Sequence, residues 1–202
     1  MKVYFKTFGC RTNIYDTELL KSYVKNYEIV NDESVADIIV VNSCTVTNGA
    51  DSGVRNYINS MRNSGKKVIL TGCGAVSKGD ELFKSSAIFG VLGASNKSKI
   101  DEMLGKSEPF YELGDLNFID KNIVSNYENH TKAFIKIQEG CDFACSYCII
   151  PSVRGFSRSI DEDIILKEAK ILASNGYSEI VLTGTNIGSY GKGVGTSLGR
   201  LV

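Results

Sequence analysis

Apolar and polar positions along this chain change period several times, and the changes divide it into segments. Short apolar runs at 3–7, 37–42, 67–71 and 88–92 read as strands. The run at 37–42, Asp-Ile-Ile-Val-Val-Asn, is continuous enough to be buried on both faces of a sheet. Between these runs the period lengthens. Leu20, Tyr23, Val24 and Tyr27 recur at helical spacing behind Asn13, the expected N-cap. Ala50, Val54, Tyr57, Ile58 and Met61 line a second helix that Gly65 stops. Strands alternating with helices predict an α/β domain built on a parallel sheet. From 105 to about 131 the periodicity fades, and Asn, Asp, Ser, Gly and Pro109 accumulate; this reads as a connector with a short strand of its own. A second unit opens near Ala133. Residues 134–138 alternate like a strand, and a cysteine-rich loop follows. Ser159 and Glu162 frame a capping box for a helix through Ser174, which Gly176 ends, and 179–183 is the next strand. The expected organisation is a domain over 1–105, a connector over 106–131, and one β-α-β unit beginning a second domain over 132–202.

Composition changes this picture little. Apolar residues make 43% and charged residues 23% of the 202 positions, as in ordinary soluble proteins. Lys plus Arg and Asp plus Glu number 23 each, so no global basic charge marks a nucleic-acid partner, although a local patch stays open. The N-terminus lacks the apolar run of a signal peptide, and no stretch approaches the roughly 20 apolar residues of a membrane span. A cytoplasmic protein with no membrane or DNA partner is expected. In that reducing compartment six cysteines read first as metal ligands or catalytic groups, not as disulfides.

Three of them form one motif, Cys141-Asp-Phe-Ala-Cys145-Ser-Tyr-Cys148. Three thiolates in a tight loop can hold three irons of a 4Fe–4S cluster and leave the fourth open to a small molecule. A zinc site and a set of buried cysteines are the alternatives. Zinc wants a fourth protein ligand, and the single histidine, His130, lies upstream in the polar connector. The spacing, with Tyr147 before the last cysteine, resembles the radical S-adenosylmethionine (SAM) superfamily. That resemblance implies that the open iron chelates the amino and carboxylate groups of SAM, and that one electron from the cluster cleaves SAM to a 5′-deoxyadenosyl radical. It also implies Tyr147 near the adenine, with a packing aromatic as its other reading, and Gly184-Thr185-Asn186 at the SAM amino group.

Cys10, Cys44 and Cys73 are far apart in sequence, yet each falls two or three residues beyond a predicted strand. Parallel strands end at one edge, where ligands bind, and Gly9, Gly72 and Gly74 let backbone approach something bulky there. These residues leave two readings open: a second cluster, or buried structural cysteines. Thr7-Phe-Gly-Cys10-Arg-Thr-Asn13, Val41-Asn-Ser-Cys44-Thr-Val-Thr47 and Thr71-Gly-Cys73 resemble the radical SAM methylthiotransferases. Gly140–Gly155 and Leu182–Gly191, which hold the second cysteine set and the Gly-Thr-Asn tripeptide, match the same family, so the resemblance covers nearly the whole chain.

The resemblance implies a flavodoxin- or Rossmann-like N-terminal methylthiotransferase domain followed by the beginning of a radical SAM (β/α) partial barrel. It implies two 4Fe–4S clusters, the auxiliary one on Cys10, Cys44 and Cys73, with SAM as methyl and radical source for converting C–H into C–S–CH3. Arg154 would position SAM or shape its pocket, with a structural Arg as the other reading. Thr45-Val-Thr-Asn48, Ala50-Asp51 and Asn186–Gly191 look like the threonylcarbamoyladenosine branch, called MtaB. The target would be carbon-2 of an adenine in the tRNA anticodon loop, an unstacked base able to enter a pocket. An external electron donor is implied. The alternatives are isopentenyladenosine in tRNA, a ribosomal-protein aspartate, or, in another class, a non-catalytic iron–sulfur protein for electron transfer. Lys132, Lys136, Arg154 and Arg158 would contact phosphates, or else form solvated surface charge. Gly74-Ala-Val is smaller than usual in the family and is expected to loosen packing after Cys73. The barrel and the usual RNA-binding domain are incomplete by residue 202, so this chain is expected not to turn over alone, as a fragment or an incomplete gene product.

Overall fold

The computed structural model describes residues 1–45, 48–128 and 130–202, with 48–51 as backbone only. It divides into two compact units, Met1–Leu116 and Asn117–Val202. Among the described residues no helix is long and apolar enough to cross a membrane.

In the first unit, β1 (Lys2–Thr7), α1 (Arg11–Tyr23), β2 (Glu28–Ile29), β3 (Ile38–Ser43), α2 (Asn48–Asn63), β4 (Lys67–Gly72), α3 (Cys73–Lys84), β5 (Gly90–Leu92), α4 (Ile100–Leu104) and β6 (Phe110–Glu112) follow in order. The six strands form one parallel sheet in the order β2-β1-β3-β4-β5-β6. Alternation along the central strands builds two cores. Ile39, Val41, Val68 and Leu70 face Val54, Ile58, Met61 and Leu82 of α2 and α3. Ile38, Val40 and Ile69 pack with Leu20, Ile100, Met103 and Leu104 of α1 and α4. Every residue of β3 is buried, as its continuous apolar run predicts.

Several sequence expectations need correction. Helix α1 starts at Arg11 with Cys10 at its N-cap, not at Asn13. Asn13 is instead fully buried, bonded to the end of the neighbouring strand. Helix α3 and strand β2 carry no clear period and are additions to the expected elements. The former holds only scattered apolar residues behind two glycines; the latter is too short to show a pattern. Strand β6 lies within the expected connector 106–131 but pairs with β5 as the sixth strand of the first sheet, and the units divide between Leu116 and Asn117.

The second unit holds β7 (Ala133–Glu139), α5 (Ile150–Arg154), β8 (Arg158–Ser159), α6 (Glu162–Ser174), β9 (Ile180–Gly184) and α7 (Leu198–Leu201). Its sheet has the order β8-β7-β9, with β7 and β9 parallel and β8 antiparallel to β7. The rest of the expected connector belongs here. Val124 and Tyr127 are buried, and Tyr127 donates to Phe134 O (2.5 Å) while its backbone N–H donates to Tyr177 Oη (2.7 Å). The predicted capping box at Ser159 and Glu162 does not form: Asp161 is the N-cap of α6, and Ser159 lies in β8.

Candidate metal centres

The sheet order places a topological switch between β1 and β3, because the chain leaves β1 to one side for β2 and returns on the other. In open parallel sheets this is where a crevice opens beyond the carboxyl ends of the strands. Cys10 follows β1, Cys44 follows β3, and Cys73 follows the next strand, β4. These three strands end in register: Thr7 opposes Asn42, Asn42 opposes Thr71, and Ser43 opposes Gly72. The topology therefore brings three thiols to one edge. Cys10 is exposed, while Cys44 and Cys73 are buried.

Close backbone packing shapes that edge. A Cβ on Gly9 would stand 2.6 Å from Cys44 Cβ, and one on Gly72 would stand 2.3 Å from Asn42 Oδ1. A Cβ on Gly74 would stand 2.0 Å from Ser43 Oγ, so glycine there fits tightly and the expected loosening after Cys73 is not found. Behind the thiols runs a buried polar network. Asn42 Nδ2 donates to Asn13 O (2.9 Å) and Thr17 Oγ1 (3.0 Å), and Asn13 Nδ2 donates to Phe8 O and Asn42 Oδ1 (both 3.2 Å). Cys10 Sγ points at Asn13 Oδ1, 3.5 Å away. The apolar periods give no sign of this network, although an Asn ending a fully apolar strand is a signal that could raise it.

In the second unit Cys141, Cys145 and Cys148 sit on the loop between β7 and α5, partly or fully exposed. The two ends of that loop are fastened together. Cys141 N–H donates to Gly155 O (3.1 Å), and Glu139 accepts from Arg154 Nη1 (2.6 Å). Gly140 and Gly155 both have positive φ, and a Cβ on Gly140 would strike Phe156 O at 2.0 Å. Within the loop a turn forms from Cys148 N–H to Cys145 O (3.0 Å).

Gly184, Thr185 and Asn186 come to this loop from the end of β9. Gly140 N–H donates to Thr185 Oγ1 (3.3 Å), and Asn186 Nδ2 lies 3.8 Å from Cys141 Sγ and 2.8 Å from Ser189 Oγ. Buried Gln138 joins the parts: its Oε1 accepts from Asn186 N–H (2.7 Å), and its Nε2 donates to Gly140 O (2.7 Å). Periodicity alone makes Gln138 a plain strand residue; its place just before Glu-Gly-Cys is the available signal of this role. Tyr147 is 90% exposed.

The expected phosphate contacts are mostly spent inside the unit. Lys136 is 1% exposed and bonds Glu139 Oε2 (3.0 Å), Arg154 bonds Glu139 Oε1, and Arg158 Nη2 stands 3.8 Å from the same carboxylate. A buried charge must be paired, and one carboxylate facing three cations holds them inward. Lys132 alone of the four is exposed with an exposed partner, Glu179.

Both cysteine sets suit a cluster chemically, since each supplies three soft thiolates. Among the described residues no three Cys, His, Asp or Glu side chains close around a point, as a single ion would require. A cluster instead offers each thiolate its own iron. His130 packs edge-on against Tyr127 and Phe134, before a strand of seven residues whose other end leads to Cys141. That strand spans roughly 20 Å, which excludes His130 as the fourth ligand of a zinc site there. Among the described residues the first edge also holds two buried hydroxyls without partners, Thr45 Oγ1 and Ser77 Oγ.

Residues 2–93 match the model of a family described as Uncharacterized protein family UPF0004, and residues 135–194 match that of the radical SAM superfamily. A provisionally named methylthiotransferase of Helicobacter pylori is 51% identical over the whole chain, and the threonylcarbamoyladenosine tRNA methylthiotransferase MtaB of Aquifex aeolicus is 39% identical. The chain thus carries a UPF0004 domain followed by a radical SAM domain, and its relatives are named methylthiotransferases. A third relative, the tRNA-2-methylthio-N(6)-dimethylallyladenosine synthase of Fervidobacterium nodosum, is 33% identical. The chain spans about half the length of these relatives: 49%, 52% and 49%. Among solved structures, the radical SAM methyltransferase TsrM of Kitasatospora setae, with tryptophan substrate and a SAM analog bound, matches 91% of this chain and 47% of its own at a TM-score of 0.61. At 14% identity that likeness speaks for the fold alone.

Proposed function

We propose that this chain is part of a radical SAM methylthiotransferase that acts on tRNA, at carbon-2 of N6-threonylcarbamoyladenosine next to the anticodon. In this reading Cys141, Cys145 and Cys148 hold a 4Fe–4S cluster that binds SAM, and Cys10, Cys44 and Cys73 hold an auxiliary one. The observation that carries it is the in-register ending of β1, β3 and β4, which delivers three distant thiols to one switch-point crevice. With the clusters and SAM bound, the protein would supply the radical, sulfur and methyl group that turn C–H into C–S–CH3.

The residues of the chain prepare that chemistry. Gln138 and Ser189 fix the backbone and amide of Asn186 beside Cys141, presenting an oriented amide to a polar ligand at the loop. Gly184 lets β9 lie close, since a Cβ there would stand 2.8 Å from Gln138 O. Glu139 holds Arg154 and so closes the cysteine loop, leaving Arg154 to shape the pocket from behind. Exposed Tyr147 offers a flat face to an adenine. An external reductant is needed, and a tRNA substrate locates the reaction in the cytoplasm.

The branch rests on Thr45-Val-Thr-Asn48 and Ala50-Asp51; Val46 and Thr47, and the side chains of 48–51, lie outside the described residues. Relatives named for dimethylallyladenosine reach 37% identity, as in Campylobacter hominis, against 39% and 35% for two MtaB proteins, which favours keeping that substrate as a second reading. Nucleoside analysis of tRNA from a strain lacking the gene separates them. Loss of the methylthio group from threonylcarbamoyladenosine is expected. Loss from the dimethylallyl nucleoside would overturn the branch, and unchanged tRNA the whole reading. Absence of reductant-dependent 5′-deoxyadenosine from the iron-loaded full-length protein would favour a non-catalytic iron–sulfur protein.

A further inference from the structure

Thr45 Oγ1 and Ser77 Oγ are shielded from solvent and make no hydrogen bond among the described residues. A buried hydroxyl left unpaired forgoes the hydrogen bonds it makes in water, and such groups in folded proteins call for a specific reason. Both stand at the three-thiol edge. Thr45 directly follows Cys44, and its Cγ2 lies 3.6 Å from where a Cβ on Gly74 would stand, next to Cys73. Ser77 lies four residues beyond Cys73 in α3, one turn on, so the two share a helix face.

General looseness does not explain the pair, because other hydroxyls at this edge are satisfied. Ser43 Oγ donates to Thr71 O (3.2 Å), and Thr7 Oγ1 and Thr17 Oγ1 bond each other (2.7 Å). In the first unit the unpaired hydroxyls lie beside Cys44 and Cys73, the two buried thiols, and among the described residues the second unit has an unpaired hydroxyl of its own, Tyr190 Oη.

We propose that Thr45 and Ser77 donate hydrogen bonds to the sulfur atoms of a cluster held by Cys10, Cys44 and Cys73, and thereby set its reduction potential. This rests on the auxiliary-cluster reading above. Hydroxyls suit this role because each O–H rotates to meet its acceptor, carries no net charge, and does not compete with thiolate for iron as a carboxylate would. A donor aimed at sulfur stabilises the more negative, reduced cluster more than the oxidised one, and so raises the potential. Burial strengthens each such bond, because little water screens it. The two residues are positioning and tuning groups, not ligands.

The test uses the full chain with Cys141, Cys145 and Cys148 replaced by Ala, so that one centre remains, reconstituted anaerobically with iron and sulfide. Potentiometric titration of the reduced-cluster spectroscopic signal is the readout. Thr45→Val and Ser77→Ala should each lower the midpoint potential at unchanged iron content, and the double variant should lower it further. Thr45→Ser and Ser77→Thr, which keep the hydroxyl, should return it toward the parent value. Full iron content with unmoved potentials would overturn the proposal. So would loss of iron in Thr45→Val that Thr45→Ser fails to restore. A parent that takes up no iron would instead overturn the auxiliary cluster itself, a result distinguishable from either.

Discussion

Cys10, Cys44 and Cys73 are delivered by three separate parallel strands, whereas Cys141, Cys145 and Cys148 share a single loop between β7 and α5. The first set has no local reason to be together. It assembles only when β1, β3 and β4 pair in register and two helical layers cover them, so it is as robust as the unit's core. The second set is close in sequence from the start, and what the fold adds is closure. Glu139, Gly140 and Gly155 bring the ends of the loop together, and Gln138 ties it to the end of β9. The arrangement of three cysteines thus rests on global packing in one unit and on a buried charge clamp in the other.

The largest expected effect tests the clamp. Removing the Glu139 carboxylate leaves Lys136 and Arg154 without their shared counter-ion in a buried site, and breaking such a pair costs about 3–5 kcal/mol. Glu139→Ala should therefore destabilise the second unit selectively. Hydrogen exchange should show lost protection over β7 and β9 with β3 and β4 unchanged. Equal loss in both units would erase the distinction drawn between them. A smaller effect tests the strand-delivered set. Gly72, with φ 78° and ψ −159°, occupies a region almost closed to other residues, and an added Cβ would also meet Ser43 O at 2.7 Å. Gly72→Ala should cost about 2 kcal/mol in the first unit. In iron-loaded protein it should lower iron bound by Cys10, Cys44 and Cys73 while sparing the other set. Iron lost equally from both would contradict the separation.

The strands of the first sheet are readable in sequence because burial on both faces leaves an uninterrupted apolar run, as at Ile38–Val41. From those runs the positions of Cys10, Cys44 and Cys73 at one edge follow by topology alone. What escapes is carried by polar residues. Asn13 looks like a cap because Asn is a good one, yet it is buried, and its amide is bonded to Phe8 O and Asn42. Residues 134–138 alternate as a half-exposed strand would, yet all of β7 is buried, because Lys136 and Gln138 are satisfied by partners inside the unit. Periodicity records hydrophobicity, and a buried polar residue with a partner violates it silently. That is also why Arg154 and Lys136 look like phosphate contacts in sequence: their carboxylate, Glu139, is three residues from one and fifteen from the other.

The smallest effect concerns acid. Asp101 at the start of α4 accepts from the backbone N–H groups of Asn26 (3.0 Å) and Lys25 (2.7 Å), and from Asn26 Nδ2 (2.5 Å). These bonds, the Asn26 N–H foremost, hold its carboxyl below the ordinary carboxylate range. A carboxyl with a lowered folded-state pKa favours folding once pH exceeds its unfolded value, and that contribution fades as pH falls through the folded one. Asp101→Asn should thus flatten the acid limb of the first unit's stability curve through a small loss of stability at neutral pH that vanishes at acid pH, small because the group is exposed and well screened. The second unit has its own such carboxylate, Asp142, lowered by Lys192 and then by the Ser157 N–H, so its acid limb should be untouched by Asp101→Asn. Denaturant titrations at several acid pH values, read by unit-resolved hydrogen exchange, measure both. If Asp101→Asn flattens the acid response of both units together, they unfold as one, and the contrast between a strand-built and a loop-built cysteine set loses its energetic basis.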